Sequence, residues 1–123
     1  MSVREQEHTR FPYVPFYVDD WLSSDTIAGF TLEQEAAYLR LLLRQWKAPD
    51  GQLPKDEGLL AGYTRLGARW KKVGRPIIQR CFVERANGYV NERLREEWLR
   101  VRDRSEKAKV AAGKRWNGNG ADD

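Results

Sequence analysis

The dipeptide Asn87-Gly88 lies between Phe82-Val83-Glu84-Arg85 and Tyr89-Val90-Asn91, and it restricts the fold of this chain more than any other feature. Both residues tolerate positive φ. Placed between two short apolar-alternating runs, they mark a tight antiparallel hairpin. Just before the hairpin, the run from Tyr63 to Val83 carries six Lys or Arg and no Asp or Glu. Read as a helix over 68–80, this run puts Trp70, Val73 and Ile77 on one face, which belongs in a core. The opposite face collects Ala68, Lys72, Arg75 and Gln79, with Lys71 beside them. Arg69 and Arg80 fall on the margin of the apolar face, where long side chains snorkel. Pro76 removes a backbone bond and should kink or interrupt this helix.

The preceding segments supply the other parts of a helical domain. Thr31-Leu32-Glu33-Gln34 has the spacing of a capping box. Behind it, Leu32, Ala36, Leu39, Leu43 and Trp46 step by four and three, which predicts one apolar stripe widened by Tyr38 and Leu42. Pro49-Asp50-Gly51 ends that helix. Gln52-Leu53 reads as a short strand that pairs with the hairpin. A second helix is expected over 55–64, with acids in its first turn and Leu59, Leu60 and Tyr63 inward. Helix, short turn, cationic helix and ribbon is the order of a winged helix-turn-helix, so the expected class is α+β. Asn91 reads as the N-cap of a long last helix over 92–113, with Leu94, Trp98 and Val101 packing on the domain. At the other end, Phe11 to Val18 is aromatic and β-branched with two prolines, which suits an extended edge segment. Asp19 to Ser23 suits one helical turn, and Ser24 to Thr26 a turn of the chain.

A chain of 123 residues fits one domain with tails. The expected division is a disordered tail at 1–10, a single domain at 11–113 and a flexible basic end at 114–123. One Cys and one His leave no disulfide framework and no multi-ligand His/Cys metal site. No apolar run approaches the roughly 18 residues of a membrane span. The polar N-terminus lacks the apolar centre of a signal peptide, so the cytoplasm is the expected location. Net charge is only +4, so placement of charge matters more than its total.

The placement points to double-stranded DNA, with single strands as a further ligand of the basic end. Lys71, Lys72 and Arg75 suit phosphates, Gln79 a base edge, and Arg85 at the hairpin tip a flanking contact. Lys107, Lys114 and Arg115, with Trp116, resemble a basic arm with a stacking ring. A merely solvated face normally mixes signs, and the 63–83 run does not. Asp19-Asp20 and Asp56-Glu57 are acid pairs, but they sit where helix starts want acids and no nucleophile accompanies them. No enzyme, cofactor or small-molecule substrate is expected. Cys81 reads as a small buried residue at the start of a strand. The alternative class is a protein-interaction module, with Leu94, Trp98 and Val101 pairing with a second copy or a replication protein.

The same residues carry a family resemblance. Pro15 to Leu22, Leu32 to Leu42 with Glu35, Ala37 and Tyr38, Gly51 to Asp56, Trp70 to Phe82, Tyr89 to Leu94 and Ala112 to Trp116 resemble the phage and prophage YdaU-like family of uncharacterised proteins. The resemblance spans about residues 12 to 116. It implies a winged-helix-like fold and a setting in phage or prophage DNA replication, in the cytoplasm of a bacterial host, similar to the DNA-binding ends of phage replication initiators. It brings no catalytic residues.

Overall fold

The computed structural model describes residues 12–122, with side chains described as far as Gly113. The expected tail at 1–10 and the side chains of the basic end at 114–123 lie outside the described residues. The chain is mostly helical with one small antiparallel sheet. In order, it forms α1 (Val18–Leu22), α2 (Asp25–Ala28), α3 (Leu32–Lys47) and α4 (Glu57–Thr64). A 3-10 turn at Gly67–Arg69 and a π-helical turn at Trp70–Gly74 follow, then α5 (Arg75–Cys81). Strands β1 (Val83–Glu84) and β2 (Tyr89–Val90) precede the long α6 (Glu92–Asp122), which runs past the expected end at 113.

Local chemistry explains the element boundaries. Thr31 and Gln34 close the capping box of α3 from both sides. Ser24, expected in a turn, instead caps α2 by accepting the Ile27 N–H. The Asp56 carboxylate accepts the N–H groups of Gly58 and Leu59 and starts α4. Asn91 Oδ1 accepts the Leu94 N–H at 3.1 Å and starts α6, as its sequence position predicts.

The core packs α3 across α4, the π turn and α5. Ala37, Leu41, Leu53, Leu60, Trp70, Ile77, Ile78 and Phe82 form one buried cluster. A second cluster joins Trp46 of α3 to Trp98 of α6, with Val14, Leu94 and Val101 against it. This corrects part of the stripe expected on α3, of which Trp46 is buried as expected and Tyr38 and Leu42 pack against the core. Leu32 is 87% exposed and Leu43 is 42% exposed, while Ala37, Leu41 and Gln45 are buried. Leucines cover so wide an arc of α3 that periodicity alone admits both faces, and packing selects the one that carries Gln45. On α4, Leu60 is buried, Tyr63 is half-buried, and Leu59 is exposed.

The single helix expected over 68–80 is three pieces, and Pro76 is the reason. Within an uninterrupted α-helix its ring would clash with the carbonyl four residues back. The chain widens first: the Arg75 N–H reaches the Trp70 carbonyl, five residues earlier. Pro76 then falls in the first turn of α5, where no N–H is needed. Despite the break, Trp70, Val73 and Ile77 all point inward.

The hairpin pairs Val83 with Val90 and Glu84 with Tyr89. Leu53 adds a third rung, exchanging both backbone hydrogen bonds with Tyr89 at 2.8 and 2.9 Å, where Gln52-Leu53 was expected to pair. The turn chemistry differs from expectation, because neither Asn87 nor Gly88 has positive φ. Gly88 is required for another reason: a Cβ there would lie 2.1 Å from the Leu53 carbonyl oxygen. Cys81 ends α5 rather than beginning a strand, and it is half-buried.

Candidate nucleic-acid interface

The acid-free run is laid over the π turn and α5, so its side chains leave the backbone in two groups. Lys71 and Lys72 project from the π turn, both exposed, while Trp70, Val73 and Gly74 between and beside them are buried. Among the described residues neither lysine forms a salt bridge. Arg75 and Gln79 lie four residues apart on α5. They line one cleft of about 520 Å³ between α4, α5 and the hairpin, floored by Leu60, Trp70, Ile78 and Phe82 and edged by Glu57, Glu84 and Tyr89. Gln79 is exposed at its rim.

Arg75 is not a free cation. Its Nε donates to Glu57 Oε1 and its Nη2 to Glu57 Oε2, both at 2.7 Å. Trp70 Nε1 donates to the same Oε1 at 3.1 Å. Glu57 thus ties the first turn of α4 to the π turn and to α5. These donors hold its carboxyl at about 2, well below the ordinary value, with Arg75 the larger cause and the Trp70 N–H the second. Arg75 is in turn pushed further up by Glu57. The Trp70 ring is fixed from its other side by Gly74, where a Cβ would lie 2.1 Å from Trp70 Cε3.

Two further arginines of the run are also engaged. Arg69 pairs with Glu33 of α3. Arg80 lies over the Phe30 ring, with 5.9 Å to the centroid. Arg85 at the hairpin pairs with Glu92 at 2.8 Å and faces a separate cleft with Gln52, Val90 and Arg95. Lys107 is exposed far along α6, away from the cleft. The side chains of Lys114 and Arg115 lie outside the described residues. The fold therefore sets Arg75 and Gln79 together in one cleft, leaves Lys71 and Lys72 exposed on the preceding π turn, and sets Arg85 and Lys107 apart from the cleft.

Glu57 is the residue that sequence reasoning missed, having read it only as a first-turn acid. It precedes Arg75 by 18 residues, nine on either side of Leu66 in the turn. No local signal marks the pairing, because Glu57 lies outside the acid-free run and meets Arg75 only when the chain folds back.

The other carboxylates have structural partners: Asp20 bonds Arg93, and Asp56 caps α4. Among the described residues no group of three or more His, Cys, Asp or Glu is placed to hold a metal ion. Burial pushes the Cys81 thiol up, away from a reactive thiolate. Among the described residues no helix is long and apolar enough to cross a membrane.

Fold and site together define a mostly helical domain with a small sheet and a partly apolar cleft whose charged lining is Arg75, Glu57 and Glu84. A family model described as a protein of unknown function (DUF1376) matches residues 12–98, and the chain belongs to that family. No curated protein and no solved structure matches it.

Proposed function

We propose that this protein is a winged-helix module that binds double-stranded DNA, in the replication or regulatory setting of a phage or prophage that its resemblance to the YdaU-like family implies. The observation that carries the reading is the exposed pair Lys71 and Lys72, without salt bridges among the described residues, on the π turn that leads into the helix of Arg75 and Gln79. The helix–turn–helix order of α4 and α5, followed by a hairpin with Leu53 as a third rung, supports the winged-helix assignment. In this reading the lysines neutralise phosphates and position the duplex, and α5 offers its cleft side to base edges. Lys107, exposed far along the last helix, would offer a separate phosphate contact.

Gel-shift titration against random duplex and single strands at two salt concentrations tests it. Lys71→Ala/Lys72→Ala is expected to weaken duplex binding and flatten its salt dependence by roughly one unit of slope per lost phosphate contact. Unchanged affinity and slope would remove the reading.

One observation favours a second reading, an interaction module for a second copy or a replication protein. Phe16 and Tyr17 are exposed and line a groove bounded by the N-terminal segment, α3 and α6, and Tyr13 and Leu22 are exposed on the same segments. Trp98 lies in the core against Trp46, as expected of a residue packing on the domain, so it is not available to the partner pairing of this alternative. Sedimentation with and without duplex DNA separates the two readings, since an assembly indifferent to DNA favours the second.

A further inference from the structure

The Glu57–Arg75 geometry leaves one edge of the guanidinium unused. Arginine presents five N–H donors in a rigid planar fork. Glu57 takes the side formed by Nε and Nη2 in two bonds of 2.7 Å. The end formed by Nη1 and the second Nη2 hydrogen makes no hydrogen bond among the described residues, and the Arg75 side chain is 40% exposed. Two parallel N–H groups at that end match the O6 and N7 acceptors that guanine presents in the major groove. The carboxylate that fixes the plane is itself fixed, because Trp70 Nε1 donates to Oε1 and the Trp70 ring rests on Gly74. An arginine so held has already lost most of its rotamer freedom before a ligand arrives, and its attraction for phosphate is offset by the neighbouring acid.

We infer that Arg75 reads a guanine through its end-on fork and that Glu57 is the positioning residue that orients it. The inference rests on the duplex-binding reading and changes one role within it: phosphate attraction falls to Lys71 and Lys72, and Arg75 carries base selectivity. Gln79, four residues further along α5 and on the same cleft, is placed to meet the edge of a neighbouring base pair.

The test is selection of bound sites from a random duplex pool, followed by titration of the selected duplex and of the same duplex carrying 7-deazaguanine, which lacks N7. The wild type is expected to select a guanine at a fixed position and to lose roughly tenfold in affinity on the 7-deaza duplex. Arg75→Ala, which leaves no donor for N7, should abolish that loss. Glu57→Gln should lower guanine selectivity yet raise affinity for random duplex, because a competing acid is gone; a merely structural role would lower both. Retention of selectivity by Arg75→Ala overturns the inference. Duplex binding by the wild type with no base preference also overturns it, and leaves the duplex-binding reading standing. Absence of any duplex binding overturns both.

Discussion

Gln45 and Asn91 hold each other through two hydrogen bonds: Gln45 Nε2 donates to the Asn91 carbonyl at 3.0 Å, and the Asn91 N–H donates to Gln45 Oε1 at 2.8 Å. Gln45 is 1% exposed, so this pair is an internal backbone clasp supplied by a side chain. Asn91 extends it. Its Nδ2 donates to Tyr38 Oη and to the Cys81 carbonyl, and its Oδ1 caps α6. One residue therefore joins α3, α5, the end of β2 and α6. Burial keeps the Tyr38 hydroxyl above its ordinary value, so it remains a neutral partner.

Gln45→Leu keeps the volume and removes both bonds. The Asn91 N–H is then buried without its partner, which costs about 1–3 kcal/mol. Gln45→Ala adds a cavity and should cost more, about 2–5 kcal/mol. Urea unfolding checks this: the midpoint should fall with little change in slope.

The Glu57 carboxyl titrates at about 2 in the folded chain, against an ordinary value of 4.5. A depressed carboxyl contributes stability that is fully present above the unfolded value and lost as pH falls through the folded one. Acidification from pH 4.5 towards pH 2 should therefore destabilise the wild type more than Glu57→Gln. Denaturation midpoints of both proteins across that window provide the check, and parallel curves would show that the clasp with Arg75 and Trp70 does not form in solution.

Gly74→Ala forces a methyl group to within 2.1 Å of Trp70 Cε3 unless the ring moves. Overpacking of this kind typically costs about 1–3 kcal/mol. Because the ring also carries the N–H bonded to Glu57, its displacement should shift Trp fluorescence and reduce the acid sensitivity attributed to Glu57. Stability loss without either spectroscopic or pH change would separate the ring contact from the clasp.

Arg65 is the only non-glycine with positive φ among the described residues, at φ 63° and ψ 19°, and it ends α4. Glycine is the usual occupant of that C-terminal position because it has no Cβ to clash. Arg65→Gly should raise stability by about 0.5–1 kcal/mol, whereas a β-branched Arg65→Val should lower it by about 1–2 kcal/mol. Thermal unfolding of the pair reads both signs in one comparison.

Much of the architecture was legible in local chemistry. The capping box of Thr31 and Gln34, the Asn91 cap, the pairing of Leu53 with the hairpin, and the inward face of Trp70, Val73 and Ile77 all depend on neighbours close in sequence or on simple alternation. What escaped depends on distant partners. A polar residue such as Gln45 becomes a core residue only because the Asn91 backbone meets it 46 residues later. The inward face of α3 was misjudged for the same reason. At the site, the cationic character of 63–83 was visible, but its division into exposed lysines and a clamped arginine was set by Glu57, which lies outside that run. The widened turn before Pro76 was signalled by the proline alone, although its form was not.

On the proposed duplex-binding reading, the restart of the helix at Arg75 would also limit how much sequence a single copy can distinguish. Seven residues of α5 span about 10 Å at a rise of roughly 1.5 Å each. Base pairs stack about every 3.4 Å, so so short a reader meets roughly three of them. Three positions recur by chance many times in any genome. A module of this design that marks one locus would need several copies side by side on the duplex, each supplying its own short word.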